Sequence, residues 1–556
     1  MNQHKQNDIQ HLVLLLVVLS LVACSGQIQP PVPAQSVRTL KTLGGGTIAV
    51  DELEATIFQI MAKANVAGLS VAVINDGQIA YTHAFGNRDK AAGSPFDTQT
   101  VTGAASLSKT VFAYLVMLLA EEGIIDLDKP LYEYLSKPLP EYPNYADLVG
   151  DDRYKQVTAR MVLDHSTGFP NWRSFEPDQR LKFLFTPGTQ YSYSGEGFAL
   201  LQMVVEEATG HDLETLARQK VFEPLDMTRT SYVWQKAFEG DVAQAHDQYG
   251  RTQRLLQLAL RRSKPDAAGS MVTTAGDYAR FLTAILNATG QRKTTMDEML
   301  RPQIAISSEQ MFGPGAWQQS NKYQPIGLAW GLGWGLFDTE QGRAFFHTGH
   351  DLGYQNYIVT YPDKGIGIVL LSNSDNFESV AAEIVRAAIG DVYTPFGWLG
   401  YAPFDPANVT PPPAEPLAVA VFALIFVSMV IAVLIVIWTR GKRRADPAFA
   451  TLRARRPKGF WMGVGVASGL AFGLLLGLAF DSFVGVSGGG IALGAVMGIA
   501  LGNAVGVVLE QRHKGEARPL TDYEKRGRRW MIRVGVVALV PLVAAVALGV
   551  AALLLR

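Results

Sequence analysis

A serine and a lysine three residues apart, Ser106 and Lys109, are the residues of this chain best suited to chemistry. They precede an apolar stretch, residues 110–122, that predicts a helix. Because positions three apart share a helix face, the lysine can reach the serine hydroxyl. A serine hydroxyl needs a neighbouring base to become a nucleophile, and S-x-x-K pairs provide one. The pair predicts acyl transfer through an acyl-Ser106 intermediate; a helix N-cap serine and an exposed lysine are the structural alternatives.

Two later segments strengthen this interpretation. Residues 187–197 read Pro-Gly-Thr-Gln-Tyr-Ser-Tyr-Ser-Gly-Glu-Gly, and residues 347–350 read His-Thr-Gly-His. With these segments the chain resembles the serine β-lactamase and penicillin-binding-protein family, in its class C-like branch. That branch also contains DD-carboxypeptidases, D-aminopeptidases and esterases. Residues 163–170 and 268–272 match its usual pattern as well, and the resemblance covers roughly residues 46–400.

The resemblance implies roles for residues in these segments. Tyr193 would relay the proton from Ser106 to the leaving group and help to activate water, with Lys109 as proton acceptor. Tyr191 could start the same motif in another register, and a packed aromatic residue is the structural alternative for Tyr193. We choose Tyr193 because the preceding Pro-Gly-Thr and the following Gly-Phe favour that register. His165, in the segment 163–170, is interpreted as structural.

The His-Thr-Gly-His segment would complete the substrate site. His347 stands where β-lactamases usually have a lysine, and a solvated strand histidine is its structural alternative. Thr348 and Gly349 follow, and the resemblance implies an oxyanion hole made by the backbone N–H groups of Ser106 and His350.

Two departures from the family pattern bear on the substrate. Gly195 stands where the family often has an asparagine whose amide holds the acylamide group of the substrate. His347, when neutral, attracts a substrate carboxylate less than a fixed cation would. Both changes leave serine acylation possible, and we expect slow or no penicillin turnover.

The pattern of the middle of the chain predicts an α+β fold. Residues 69–74 and 78–85 flank Asn-Asp-Gly, a hairpin signal, and residues 354–361 and 366–371 flank a second turn. Residues 198–208 and 378–388 are helix-like. Strands near both ends of a helical middle predict an antiparallel sheet covered by helices, which is the β-lactamase/transpeptidase-like fold that the resemblance implies.

The first residues predict export. An apolar stretch ends at Cys24, the single cysteine of the chain, in a Leu-Val-Ala-Cys sequence that looks like a bacterial lipobox. We expect a lipoprotein-type signal peptide at 1–23, lipidation of Cys24 and a flexible tether at 24–45. An ordinary signal peptide or an uncleaved anchor is the alternative.

The last residues predict a membrane domain. A proline-rich linker, 401–416, precedes four apolar spans at 417–438, 461–480, 484–509 and 534–555, each near the ~20 residues that cross a bilayer. Although the chain has a net charge of −1, residues 415–556 carry 17 Lys+Arg against 7 Asp+Glu. The basic residues cluster in the first and third inter-span loops, which places those loops in the cytoplasm. We therefore expect an all-α four-helix transmembrane domain, 417–556, in a bacterial inner membrane, with the catalytic domain, 46–400, on the periplasmic or extracellular side.

Glycines recur every fourth residue in the two middle spans. They predict close helix packing within an antiparallel hairpin. A docking face for a membrane-protein partner or for self-association is the alternative. The glycines are Gly465, Gly469, Gly473 and Gly477 in one span and Gly490, Gly494, Gly498, Gly502 and Gly506 in the next.

These patterns favour one class of function over others. The chain has no H-E-x-x-H motif and no cysteine–histidine cluster, so we predict no metal or cofactor. Its basic residues lie beside apolar spans, which gives no nucleic-acid surface. We expect a membrane-anchored serine hydrolase acting on a small peptide, amide or ester, such as a D-amino-acid peptide or a peptidoglycan fragment. A D-peptidase that processes a secreted product, a β-lactam sensor and a non-enzymatic cell-envelope binding protein remain as alternatives.

Overall fold

The computed structural model describes residues 38–253, 260–290, 292–406, 458–466, 468–470, 472–473, 489–513, 519–520, 522, 525, 526 and 529. The predicted signal peptide, Cys24, the tether up to residue 37, the linker from residue 407 and the spans 417–438 and 534–555 lie outside the described residues. The predicted spans 461–480 and 484–509 are described in part.

A nine-stranded antiparallel sheet forms the centre of the domain, in the order β5-β4-β3-β13-β12-β11-β10-β9-β8. Both predicted hairpins are confirmed, as β3–β4 and β12–β13. The sheet strands are β3 (Gly68–Asn75), β4 (Gln78–Asp89), β5 (Ser94–Pro95), β8 (Ile304–Ala305), β9 (Ala329–Trp330), β10 (Gly335–Thr339), β11 (Gly342–Asp351), β12 (Tyr354–Tyr361) and β13 (Ile366–Ser372). The remaining strands form two-stranded pairs, β1 (Thr39–Lys41) with β2 (Thr47–Ala49) and β6 (Thr102–Gly103) with β7 (Val272–Thr273).

Helices cover both faces of this sheet, as the α+β prediction requires. The helices predicted at 110–122, 198–208 and 378–388 are confirmed as α2, α4 and α8. The helices are α1 (Val50–Lys63), α2 (Ser108–Glu121), α3 (Ala159–Leu163), α4 (Gly195–Thr209), α5 (Leu213–Ala217), α6 (Ala275–Leu286), α7 (Lys293–Met299), α8 (Glu378–Ile389), α9 (Phe396–Leu399) and α10 (Gly489–Arg512).

Strand alternation divides the core into two layers. On β13, Val369 and Leu371 face one layer, together with side chains of α2, α4 and α6. Ile368 and Leu370 face the other layer, where α1 and α8 pack. This alternation is the period of two expected for a sheet that is covered on both faces. The first layer holds the helix that follows Ser106, so the nucleophile segment rests on a buried core.

Two predicted linker boundaries are wrong at their inner ends. The predicted flexible tether includes residues 38–45, yet these residues contain β1, and Leu40 and Leu43 are buried. The Leu43 N–H also donates to the Ile389 carbonyl. At the other end, Tyr401 and Phe404 pack against the second core layer. Apolar side chains extend the folded part beyond 46–400 because each buries surface that an extended tether would expose.

The predicted packing of the two glycine faces is confirmed where it is described. A Cβ at Gly469 would collide with backbone atoms of Gly498 and Gly502, and one at Gly473 would collide with Gly494 and Gly498. Such close approach requires residues without side chains. The Glu510 carboxylate accepts from the Trp461 N–H at 3.1 Å, near the other end of the pair. Within the described part of the chain, no helix combines the length and hydropathy that crossing a membrane demands.

Candidate active site

Ser106 lies on a short 3₁₀ helix, Ala105–Leu107, immediately before α2. The preceding residue, Ala105, has a φ of +48°, in the left-handed region that residues with a Cβ rarely adopt. The Ser108 hydroxyl supports this turn by donating to the Ala105 carbonyl at 2.6 Å and accepting from the Met271 N–H at 3.0 Å. The backbone is therefore bent so that Ser106 stands at the entrance to the helix rather than within it.

Lys109 is buried on the first turn of α2, with 1% of its surface exposed. Its Nζ donates to Ser106 Oγ at 3.2 Å and to the Ala268 carbonyl oxygen at 2.6 Å. Burial lowers the pKa of Lys109 to about 7, and the nearby Asp266 carboxylate opposes that shift only in part. A lysine with such a pKa is about half deprotonated at pH 7, and the deprotonated amine can accept a proton from a neighbouring hydroxyl.

Tyr193 completes a three-residue group with Ser106 and Lys109. Its ring centroid is 4.9 Å from Lys109 Nζ, and its phenol interacts with the Ser106 hydroxyl. Burial raises the pKa of Tyr193, and the interaction with Ser106 acts in the opposite direction. Tyr191 instead packs against Trp330 and Trp398, with ring centroids at 5.3 and 6.0 Å. The geometry thus favours Tyr193 over Tyr191 as the residue beside the nucleophile.

His347 is fully buried on β11. This burial disagrees with the structural alternative, in which His347 is a solvent-exposed residue of a strand. Its ring lies 6.2 Å from that of Tyr193 and 5.6 Å from that of Trp330, centroid to centroid. Burial, followed by the proximity of Lys109, lowers the pKa of His347 to about 3. This side chain is therefore neutral and offers no fixed cation to a substrate carboxylate.

The rest of the His-Thr-Gly-His segment runs beside the nucleophile. A side chain at Gly349 would collide with the Ala104 carbonyl oxygen, so the backbone of β11 passes close to the start of the Ser106 turn. Thr348 and His350 line the same cavity as Ser106. The imidazole of His350 is paired with the Glu378 carboxylate at 2.8 Å, and this hydrogen bond raises the pKa of His350. Its side chain is therefore engaged by Glu378, whereas the role implied for residue 350 uses only its backbone N–H.

A cavity of about 1250 Å³ opens in front of Ser106. Trp172 lies on its wall and covers Gly195: a Cβ built on Gly195 would be 2.5 Å from the indole ring. An indole therefore occupies the space that a side chain at this position would need. The asparagine that the family often has here is thus replaced by an apolar surface.

Sequence reasoning missed two contributors to this site, Ala268 and Trp172. Ala268 supplies the carbonyl acceptor for Lys109, whereas its segment, 268–272, indicates only the family resemblance. Trp172 covers Gly195, and the only signal for it in the sequence is its position just after the segment 163–170. The structural interpretation of His165 agrees with its position, because it is fully buried against Tyr193 and its Nδ1 accepts from the Ser194 N–H at 3.1 Å.

This fold and this group of residues are those of a serine hydrolase. A profile of the family described as Beta-lactamase matches residues 53–391. The chain belongs to the Beta-lactamase family.

Individual relatives are distant and carry different names. The chain is 23% identical to "Penicillin-binding protein 4" of Amycolatopsis lactamdurans, covering 65% of this chain and 92% of that protein. It is 24% identical to "Esterase EstB" of Burkholderia gladioli, covering 61% and 94%. A solved structure, D-alanine carboxypeptidase AmpC from Burkholderia cenocepacia, is similar with a TM-score of 0.48 and 20% identity, covering 61% of this chain and 99% of that one.

Proposed function

We propose that this protein is a membrane-anchored, extracytoplasmic hydrolase that cleaves an ester or amide through an acyl-Ser106 intermediate. The observation that carries the proposal is the contact of Lys109 Nζ with Ser106 Oγ at 3.2 Å, made by a buried lysine whose pKa is lowered to about 7. A neighbouring base of this kind is what a serine hydroxyl requires to attack a carbonyl.

The proposed reaction has two steps. In the first, Ser106 Oγ bonds to the carbonyl carbon, the bond to the leaving group breaks, and the hydroxyl proton passes through Lys109 and Tyr193 to the leaving group. In the second, water attacks the acyl-serine, and the Ser106 oxygen regains a proton as the acid leaves. The backbone N–H groups of Ser106 and His350 would stabilise the oxyanion formed in each step.

Membrane anchoring rests on the sequence. The apolar spans, the basic loops between them and the lipobox-like segment at Cys24 all favour a catalytic domain outside the cytoplasm. The packed glycine faces support a helical hairpin following that domain. The name of the Burkholderia gladioli relative supports esters as one substrate class to test.

The test is intact-mass analysis of the full chain, in detergent, after treatment with a fluorophosphonate probe. The wild-type protein should gain the mass of one probe less HF, because fluoride leaves as the serine oxygen bonds to phosphorus, and Ser106→Ala should gain none. Ser174→Ala, which removes an exposed serine of the same domain, is the matched control and should label like the wild type. Absence of labelling in the wild type would contradict the proposal and favour a binding or sensor role.

A further inference from the structure

Large apolar side chains are exposed around the mouth of the Ser106 cavity. Among described residues 38–406, eight large hydrophobic side chains are exposed, and four of these line this one cavity. They are Phe175, Phe312, Trp317 and Leu352, with 73%, 44%, 55% and 61% of their surface exposed. Scattered exposed apolar residues are ordinary, but a group of them around a concave site marks a binding surface.

The interior of the cavity continues this apolar surface. The indole of Trp172 covers Gly195 and lines the cavity, at the position where the family pattern often has an asparagine. Leu184 and Met311 also line the wall. A substrate group lying here meets an indole and aliphatic carbon, so burial of a hydrocarbon would be favoured by its loss of water contact.

The charged groups of the lining disfavour an anionic substrate. The described lining includes four carboxylates, of Glu176, Asp266, Asp351 and Glu378, and the guanidinium of Arg262. Three of these carboxylates are paired with cations: Asp266 with Arg262 at 3.6 Å, Glu176 with Lys182 at 3.2 Å and Glu378 with the His350 imidazole at 2.8 Å. A free carboxylate on the substrate would therefore meet cations that are already paired within the protein, beside the carboxylate of Asp351.

We propose that the substrate of this site is an uncharged ester with a long apolar acyl chain. The acyl chain lies along Trp172 and extends out of the cavity between the exposed side chains at its mouth. This inference rests on the proposed acyl-Ser106 function and specifies its substrate class. Each added methylene that enters an apolar pocket improves discrimination by about tenfold or more. Even partial burial of a six-carbon extension should therefore be measurable.

The test compares p-nitrophenyl octanoate with p-nitrophenyl acetate, each below its solubility limit, on the full chain. The wild type should have a kcat/KM for octanoate about tenfold or more above that for acetate. In Trp317→Ala and in Phe312→Ala, the octanoate-to-acetate ratio should fall several-fold. Phe58→Ala is the matched control, because Phe58 is exposed to 66% on α1 and does not line the cavity.

The outcomes separate this inference from the proposed function. A wild type that turns over acetate through Ser106 but shows no preference for octanoate would overturn the inference alone. An octanoate-to-acetate ratio of kcat/KM that is as low in Phe58→Ala as in Trp317→Ala would overturn the inference as well. Absence of Ser106-dependent turnover on both esters, together with absence of fluorophosphonate labelling, would instead overturn the proposed function.

A second pair of substrates tests the charge argument. The p-nitrophenyl ester of octanedioic acid is compared in two forms, one with the far carboxyl group as its methyl ester and one with that carboxyl group free. The neutral methyl ester should react faster.

Discussion

The imidazole ring of His165 lies 4.2 Å from the phenol ring of Tyr193, centroid to centroid, with 32° between their planes. The same imidazole accepts a hydrogen bond from the backbone of Ser194, the N-cap of α4. Burial, and then the proximity of Lys109, lowers the pKa of His165, so it stays neutral. His165 thus holds both the ring of Tyr193 and the backbone that follows it.

Replacing His165 should impair turnover more than substrate binding. In His165→Ala the Tyr193 ring loses its packing partner and the Ser194 N–H loses its acceptor, so we expect kcat to fall by about tenfold or more with a smaller change in KM. His165→Asn keeps a polar acceptor and tolerates the left-handed backbone of this position, where φ is +59°. It should recover part of kcat. Steady-state kinetics on one ester checks both variants, and equal effects on kcat and KM would argue against positioning.

The reaction should lose rate in acid. Since burial lowers the pKa of Lys109 to about 7, the amine is deprotonated above that pH and protonated below it. Only the deprotonated amine accepts the Ser106 proton, so kcat/KM should fall about tenfold for each pH unit below 7 and level off above it. A pH–rate profile on a neutral ester measures this, because such a substrate does not titrate. A profile that is flat from pH 5 to 8 would exclude Lys109 as the base.

Removing the Lys109 charge should stabilise the domain while abolishing activity. The pKa of Lys109 is about 7 in the folded chain against 10.5 for an ordinary lysine. Below pH 7 both states hold the proton, and the folded state bears the full cost of the buried charge. Between pH 7 and 10.5 the unfolded chain holds more protons, so this cost fades as pH rises. Lys109→Met should therefore add on the order of a few kcal/mol at pH 7 and little near pH 10.

Thermal unfolding of full-length Lys109→Met and wild type at the two pH values tests this expectation. Lys155→Met, at an exposed lysine outside the site, is a suitable control and should change the midpoint little at either pH. A lower midpoint for Lys109→Met at pH 7 would mean that its hydrogen bonds to Ser106 and Ala268 outweigh the cost of burial.

Restoring a side chain at position 195 should disturb Trp172. In Gly195→Asn the new Cβ would start 2.5 Å from the indole, so we expect a loss of about 1–3 kcal/mol in stability from overpacking. Adding Trp172→Ala should relieve the collision, so the double variant should lose less than the sum of the single changes. Urea unfolding measures the cycle. Gly269→Asn, at a position where a Cβ meets nothing within 4 Å, should be nearly neutral.

Penicillin-type substrates should be poor. The indole at Gly195 replaces the amide that would hold an acylamide group, and neutral His347 offers no cation to the β-lactam carboxylate. We expect nitrocefin to be hydrolysed about a hundredfold or more slowly than the best ester, measured as kcat/KM. Rapid nitrocefin hydrolysis would show that another group, such as Arg262, binds the carboxylate.

Local patterns predicted the elements, whereas contacts distant in sequence decided the details of the site. The hairpins followed from strand alternation and turn residues, and the approach of Lys109 to Ser106 followed from helical spacing. The cover of Gly195 by Trp172 could not be anticipated because it depends on how a loop folds over the start of α4. Nor could burial of His347, since a strand residue can face either layer until the sheet order is known.

Strand β1 was not predicted for a different reason. It has only three residues, and the chain just after it is held by a contact distant in sequence, from the Leu43 N–H to the Ile389 carbonyl. Intrinsic preference is weak over so short a segment, so neighbouring proline and glycine residues dominated the sequence pattern.

The left-handed backbone of Ala105, just before Ser106, links the stability of the chain to the orientation of its nucleophile. A change to glycine would relax this peptide and ease folding, because glycine adopts positive φ without penalty. The same change would free the reactive hydroxyl to sample other directions. At this position, therefore, substitutions that relax the backbone and substitutions that keep the nucleophile oriented act in opposite directions.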